Sequence, residues 1–266
     1  MIPVINILGR EIGIYAILAL AAALTSGVLV YRQAKRKQLD EIEAIVVMLI
    51  ASIGIFIGMH LLYGITQIPY IPRFIENPPP LTPFGDAANI FFAVFGGSVF
   101  YGGLLGGLAA GFLCMRYRKL DTKSYTDLIV PAIPLFHMFG RIGCFLGGCC
   151  YGIECPVGFT YTYAPIPEAN GVSRFPVQLL EAFVLFILFV ILFALFKKGV
   201  WRGKLLYIYL LSYSFFRFFL EFLRGDEYRG IYLGLSTSQL ISLILFVFAA
   251  GVLLAGRRKS AKIQDK

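Results

Sequence analysis

Apolar residues in this chain come in blocks of about twenty or more, separated by short polar stretches that carry nearly all of its charge. Wound as a helix, a block of that length matches the roughly 30 Å hydrocarbon core of a bilayer. Only 15% of the 266 residues are charged and 58% are hydrophobic, whereas a soluble domain places about a quarter of its residues in charged types. Lipid is therefore the main solvent. The blocks read as spans at Ile12–Tyr31, Ala44–Tyr63, Ala88–Tyr117, Ser124–Phe145, Val177–Phe196, Leu205–Leu223 and Ser236–Leu254. The expected fold is all-α, a polytopic integral membrane protein with about seven transmembrane helices in one membrane-embedded domain over residues 1–266.

Basic residues set the expected orientation, because cytoplasmic loops retain Lys and Arg. Four clusters occupy alternate connections: Arg32, Lys35, Arg36 and Lys37; Arg116, Arg118, Lys119 and Lys123; Lys197, Lys198, Arg202 and Lys204; and Arg257, Arg258, Lys259, Lys262 and Lys266. An amino end outside and a carboxyl end in the cytoplasm satisfy all four. The net charge of +9 is then a topology signal, and nucleic acid is not an expected partner. The first apolar block has no basic leader or small-residue cleavage site, so it reads as a retained helix. Two longer outer loops are expected. Residues 66–83 carry six prolines and suggest an extended segment, and residues 151–175 are rich in Pro, Gly and Tyr. Both are expected to rest against the outer face of the bilayer.

Charge inside the apolar blocks is costly and marks function or pairing. Arg217 and Glu221 stand four apart in an apolar run and share a helix face, either as a structural ion pair or as a clamp for an anionic lipid. Arg224 follows near the outer interface. Arg141 lies among glycines in the proline-containing fourth span, which is expected to be shielded or broken. Its planar guanidinium suits phosphate, and it stays protonated, so it serves to bind and stabilise charge rather than to accept a proton. Gln178 and Glu181 are three apart at the outer start of the fifth span and can orient a polar network, either for helix packing or for positioning substrate. His137 stands one turn before Arg141 as a proton-handling candidate, while His60 reads as structural. Tyr15 and Tyr101 are further polar groups in apolar surroundings. Gly102, Gly103 and Gly143 permit close approach of a helix or lipid. Cys144, Cys149, Cys150 and Cys155 gather near the outer end of the fourth span, where a disulfide staple is favoured over thiol catalysis or a metal.

The stretch Gly140-Arg-Ile-Gly-Cys-Phe-Leu-Gly-Gly-Cys-Cys-Tyr-Gly152 resembles the glycine-arginine signature of the prolipoprotein diacylglyceryl transferase family. Gly97-Ser-Val-Phe-Tyr-Gly-Gly103, Phe175-Pro-Val-Gln-Leu-Leu-Glu181 and Arg217-Phe-Phe-Leu-Glu-Phe-Leu-Arg224 are similar to further family stretches, in the same order. The resemblance implies a transferase of the bacterial cytoplasmic (inner) membrane. It would move the diacylglyceryl group of phosphatidylglycerol to the lipobox cysteine of a preprolipoprotein, releasing glycerol 1-phosphate. Its implied partners are phosphatidylglycerol, the signal peptide of the acceptor and membrane lipids, with no metal or cofactor. Arg141, Arg217 and Glu221 fall on the family's essential positions and Tyr15 on its early tyrosine, while Tyr101 or His137 would assist proton transfer. The family signature commonly has asparagine at the positions of Cys144 and Gly147 and glutamate at Cys149, and well-known members have histidine at the position of Tyr101 and often at that of Phe175. The competing classes are a transporter for an anionic metabolite or lipid, and a thiol-redox membrane protein.

Overall fold

A computed structural model describes residues 4–7, 10–164, 166–225, 231–232 and 234–264. Ten helices, α1 to α10, dominate the described residues, with six short strands, β1 to β6, between them. Among the described residues, six helical stretches are long and apolar enough to cross a membrane: Ile14–Arg36, Glu41–Glu76, Thr122–Gly147, Val177–Lys198, Leu205–Leu223 and Thr237–Gly256. The protein is thus a multi-pass, mainly helical membrane protein. The carboxyl-terminal basic cluster, Arg257 to Lys266, lies outside the residues whose side chains are described.

The chain forms two compact units, residues 34–125 and residues 1–33 with 126–266. In the smaller unit, α2 (Glu41–Gln67) packs along α5 (Phe100–Tyr117). Asp40 starts α2 by accepting the backbone N–H groups of Ile42 at 2.9 Å and Glu43 at 3.0 Å. Glu43 then pairs with Arg118 just beyond the end of α5. The two helices touch backbone to backbone. A Cβ placed on Gly102 would lie 2.2 Å from the Gly58 carbonyl oxygen, and one on Gly106 would lie 2.2 Å from that of Gly54. The glycine pairs of α5 therefore serve close helix packing.

Two sequence expectations are corrected here. The single span at Ala88–Tyr117 is broken into α4 (Asp86–Phe95) and α5 by Gly96–Val99. Its freed backbone groups are satisfied from α2: Val99 N–H donates to the Met59 carbonyl at 3.1 Å, and His60 Nδ1 lies 2.8 Å from both the Phe95 and Gly97 carbonyl oxygens. A break at membrane depth needs such partners, which gives His60 its structural place. The segment read as extended from residue 66 instead stays helical to Glu76, through one 3-10 turn (Ile68–Tyr70) and α3 (Ile71–Glu76). Pro69 and Pro72 each fall in a first turn, where the missing N–H costs nothing. Beyond it, buried Asn89 accepts from Leu81 N–H at 3.1 Å and Thr82 N–H at 2.6 Å and holds the proline-rich stretch.

The larger unit holds the hairpin β1 (Val4–Ile7) and β2 (Arg10–Gly13), then α1 (Ile14–Arg36). The fourth span is broken, as expected: α6 (Thr122–Ile129) stops before Pro131, and α7 (Ala132–Gly147) places Pro134 in its first turn. After α7 come β3 (Glu154–Thr160) and β4 (Ser173–Arg174), an antiparallel pair within the expected outer loop. Then α8 (Val177–Lys198) packs against α7, α9 (Leu205–Leu220) against α8, and α10 (Thr237–Gln264) against α9. The short strands β5 (Ile231–Tyr232) and β6 (Leu235–Ser236) lead into α10. Buried Asp127 of α6 accepts the backbone N–H groups of Gly203 and, at 3.2 Å, Leu205, and so fixes the start of α9. At the start of α10, Ser236 and Gln239 exchange reciprocal side-chain to backbone bonds, at 3.2 and 2.9 Å.

Candidate active site

Three neighbouring helices of the larger unit bring their charged side chains together. Glu181, one turn into α8, is 1% exposed. A bare carboxylate there would be prohibitive, and it is compensated from two sides. Arg141 of α7 sets Nε 3.1 Å from Glu181 Oε2, an ionic contact whose N–H is not aligned as a hydrogen bond. Tyr213 of α9 donates its hydroxyl to Glu181 Oε1 at 3.0 Å. His137 Nε2 lies 3.9 Å from the same oxygen, and its ring meets Tyr213 edge-on at 5.4 Å. Tyr209, one turn before Tyr213, stacks on it with ring centroids 5.7 Å apart.

A second ion pair lies along α9. Arg217 Nη2 is 2.7 Å from Glu221 Oε2, the i, i+4 contact expected from the sequence, and 3.4 Å from Ser238 Oγ of α10. Both partners are buried. Arg217 Nη1 is buried as well, yet it has no hydrogen-bond partner among the described residues. Such a donor calls for a ligand, because an unmade bond from a buried charged group costs more than about 1–3 kcal/mol.

Gln178 and Glu181 turn to different polar partners. Gln178 Nε2 donates to the Cys149 carbonyl at 2.8 Å and to the Tyr161 hydroxyl at 3.1 Å, tying α8 to the end of α7 and the outer loop. Burial pushes the Tyr161 hydroxyl above its ordinary value, so it stays neutral as a hydrogen-bonding group. Arg174 on β4 supports the same loop, donating to the Glu168 carbonyl at 2.5 Å while stacking over the Tyr151 ring at 4.3 Å. Tyr15, in the first turn of α1, lies against the glycine face of α7; a Cβ on Gly143 would sit 2.9 Å from its ring. Arg224 follows a short 3-10 turn, where its backbone bridges to Gly152.

Tyr101, Gly102 and Gly103 fall on α5 in the other unit, with Gly102 against Gly58 and Leu62 and Gly103 against Ile55. All five cysteines stand as free thiols in this structure. The sulfurs of Cys144, Cys149 and Cys150 nevertheless lie within 4.8 Å of one another, while Cys155 on β3 stands outside this group. Sequence reasoning missed Tyr213, Tyr209 and Ser238. Tyr213 and Tyr209 carried one usable signal, since their four-residue spacings to Arg217 and to each other put all three on one face of α9.

The prolipoprotein diacylglyceryl transferase family matches residues 3–255, nearly the whole chain. The chain belongs to this family. It is 32% identical to the phosphatidylglycerol--prolipoprotein diacylglyceryl transferase of Clostridium tetani over 250 residues, covering 93% of this chain and 94% of that one. It is 38% identical over 175 residues to the second such transferase of Clostridium perfringens, over 65% and 67% of the two chains. With the Chlorobaculum tepidum transferase it shares 35% identity over 216 residues, 78% of this chain and 71% of that one. As in the sequence reading, Arg141, Arg217 and Glu221 lie in the family-like stretches, and here they stand among buried, charge-compensated groups.

Proposed function

We propose that the protein transfers the diacylglyceryl group of phosphatidylglycerol to the lipobox cysteine thiol of a preprolipoprotein, releasing glycerol 1-phosphate. The observation that carries this reading is a pair of largely buried guanidinium groups, each held by its own carboxylate, with Arg217 Nη1 left without a hydrogen-bond partner among the described residues. A phosphodiester is the chemistry that such donors complement. The family match over residues 3–255 supports reading residues 1–266 as one transferase domain. The basic clusters favour a cytoplasmic carboxyl end in the bacterial inner membrane.

In the reaction, the acceptor sulfur forms a bond to the glyceryl carbon as that carbon's bond to the phosphate oxygen breaks. The electron pair leaves on the phosphate, where Arg141 and Arg217 stabilise the added charge. Glu181 and Glu221 position the arginines, and Tyr213 positions Glu181. His137 is the proton acceptor for the thiol, and the proton passes on to the departing glycerol phosphate or to solvent. Tyr15, Gly143, Gln178 and Arg224 form the substrate-binding surround, with Gln178 holding the outer loop in place.

The test is purified protein with phosphatidylglycerol and a lipobox peptide, read by mass spectrometry. A diacylglyceryl thioether on the peptide cysteine is expected. Arg141→Ala and Arg217→Ala should abolish it while membrane insertion persists. A folded protein that yields no thioether with both substrates present overturns the proposal.

A further inference from the structure

Cys144, Cys149 and Cys150 are brought together by the way α7 ends. Gly148 takes a left-handed conformation, φ +73°, and the chain reverses there. Gly148 N–H then donates to the Phe145 carbonyl at 3.4 Å and Cys149 N–H to the Cys144 carbonyl at 3.1 Å. This pairing closes the helix and returns Cys149 over Cys144. Gln178 locks the returned segment through its 2.8 Å bond to the Cys149 carbonyl.

Cys150 also adopts a left-handed conformation, φ +56°. For a residue bearing a Cβ this is unfavourable by about 1–3 kcal/mol, a strain that accumulates where function requires it. Here it accompanies a third sulfur in the group. All three sulfurs fall within 4.8 Å of one another, and all three residues are only half-buried, so an ion can reach them. In a zinc site with Zn–S bonds of about 2.3 Å, tetrahedral geometry sets neighbouring sulfurs roughly 3.8 Å apart. The cluster needs only side-chain adjustment to reach that spacing.

From this geometry we infer that Cys144, Cys149 and Cys150 form a three-thiolate site for a soft d10 cation, with Zn2+ as the first choice. Three thiolates with Zn2+ carry one net negative charge, which a nearby guanidinium would offset. Arg141 stands one helical turn before Cys144 on α7, so the metal would sit beside the proposed phosphate-binding arginine. Three protein ligands leave a fourth position for water or another small ligand. The inference does not depend on the transferase reading, and it revises the expectation that no metal is needed.

Full-length protein, purified under reducing conditions and stripped with chelator, is titrated with Co2+ and read by absorption. The expected result is one Co2+ per chain with thiolate-to-metal charge-transfer bands, displaced by one equivalent of Zn2+. Cys144→Ser, Cys149→Ser and Cys150→Ser should each weaken binding at least tenfold, whereas Cys155→Ser and Cys114→Ser should leave it intact. Wild-type protein that retains ordered helices and free thiols but shows no stoichiometric Co2+–thiolate band overturns the proposal. So does a band that survives in all three variants.

Discussion

Glu181 of α8 holds Arg141 of α7, with Oε2 3.1 Å from the guanidinium Nε while Oε1 accepts the Tyr213 hydroxyl. Breaking one half of a buried pair strands the other charge, at a cost of about 3–5 kcal/mol. Glu181→Gln should therefore lower the unfolding midpoint in detergent markedly, and Arg141→Met should do the same. The double variant Arg141→Met with Glu181→Leu should recover much of that stability and yield no thioether product. Recovery of product would show that the arginine is structural.

Tyr213→Phe removes one hydrogen bond to a charged acceptor and keeps the ring stacked on Tyr209. Bonds of this kind contribute about 1.5–3 kcal/mol. A loss of that order in denaturant stability is expected, with reduced thioether formation because Glu181 loses its second anchor. Unchanged stability and turnover would remove Tyr213 from the site.

The α2–α5 contact should tolerate no side chain at its tightest points. Gly106→Val places atoms against the Gly54 carbonyl, where even a Cβ would sit at 2.2 Å. The helices must separate, so loss of folded protein by size-exclusion chromatography in detergent is expected. Gly111→Ala on the same helix meets only ordinary contacts, the nearest at 3.5 Å, and should fold normally.

Asp127→Ala leaves the Gly203 and Leu205 N–H groups without their acceptor. The buried Leu205 N–H, left orphaned, costs about 1–3 kcal/mol. A lowered unfolding midpoint and faster amide exchange at the first turn of α9 are expected, with Asp127→Asn intermediate because it keeps one acceptor oxygen.

The sequence by itself determined that the chain lives in lipid and is mainly helical, because hydrocarbon admits long apolar runs only as structures that satisfy their own backbone. It also marked Arg141, Arg217, Glu181 and Glu221, since ionised groups in apolar runs are too costly to be incidental. The i, i+4 pair of Arg217 with Glu221 was legible because both partners lie on one helix face.

Tertiary structure alone decided which charges meet across helices. Nothing in the spacing of Gln178 and Glu181 told that one would turn to Cys149 and Tyr161 and the other to Arg141 and Tyr213. The break at Gly96–Val99 was equally hidden, because the apolar pattern runs on while His60 and Met59, distant in sequence, supply the missing hydrogen bonds. Local sequence sets which groups must be satisfied in a membrane, and helix packing sets which partner satisfies them.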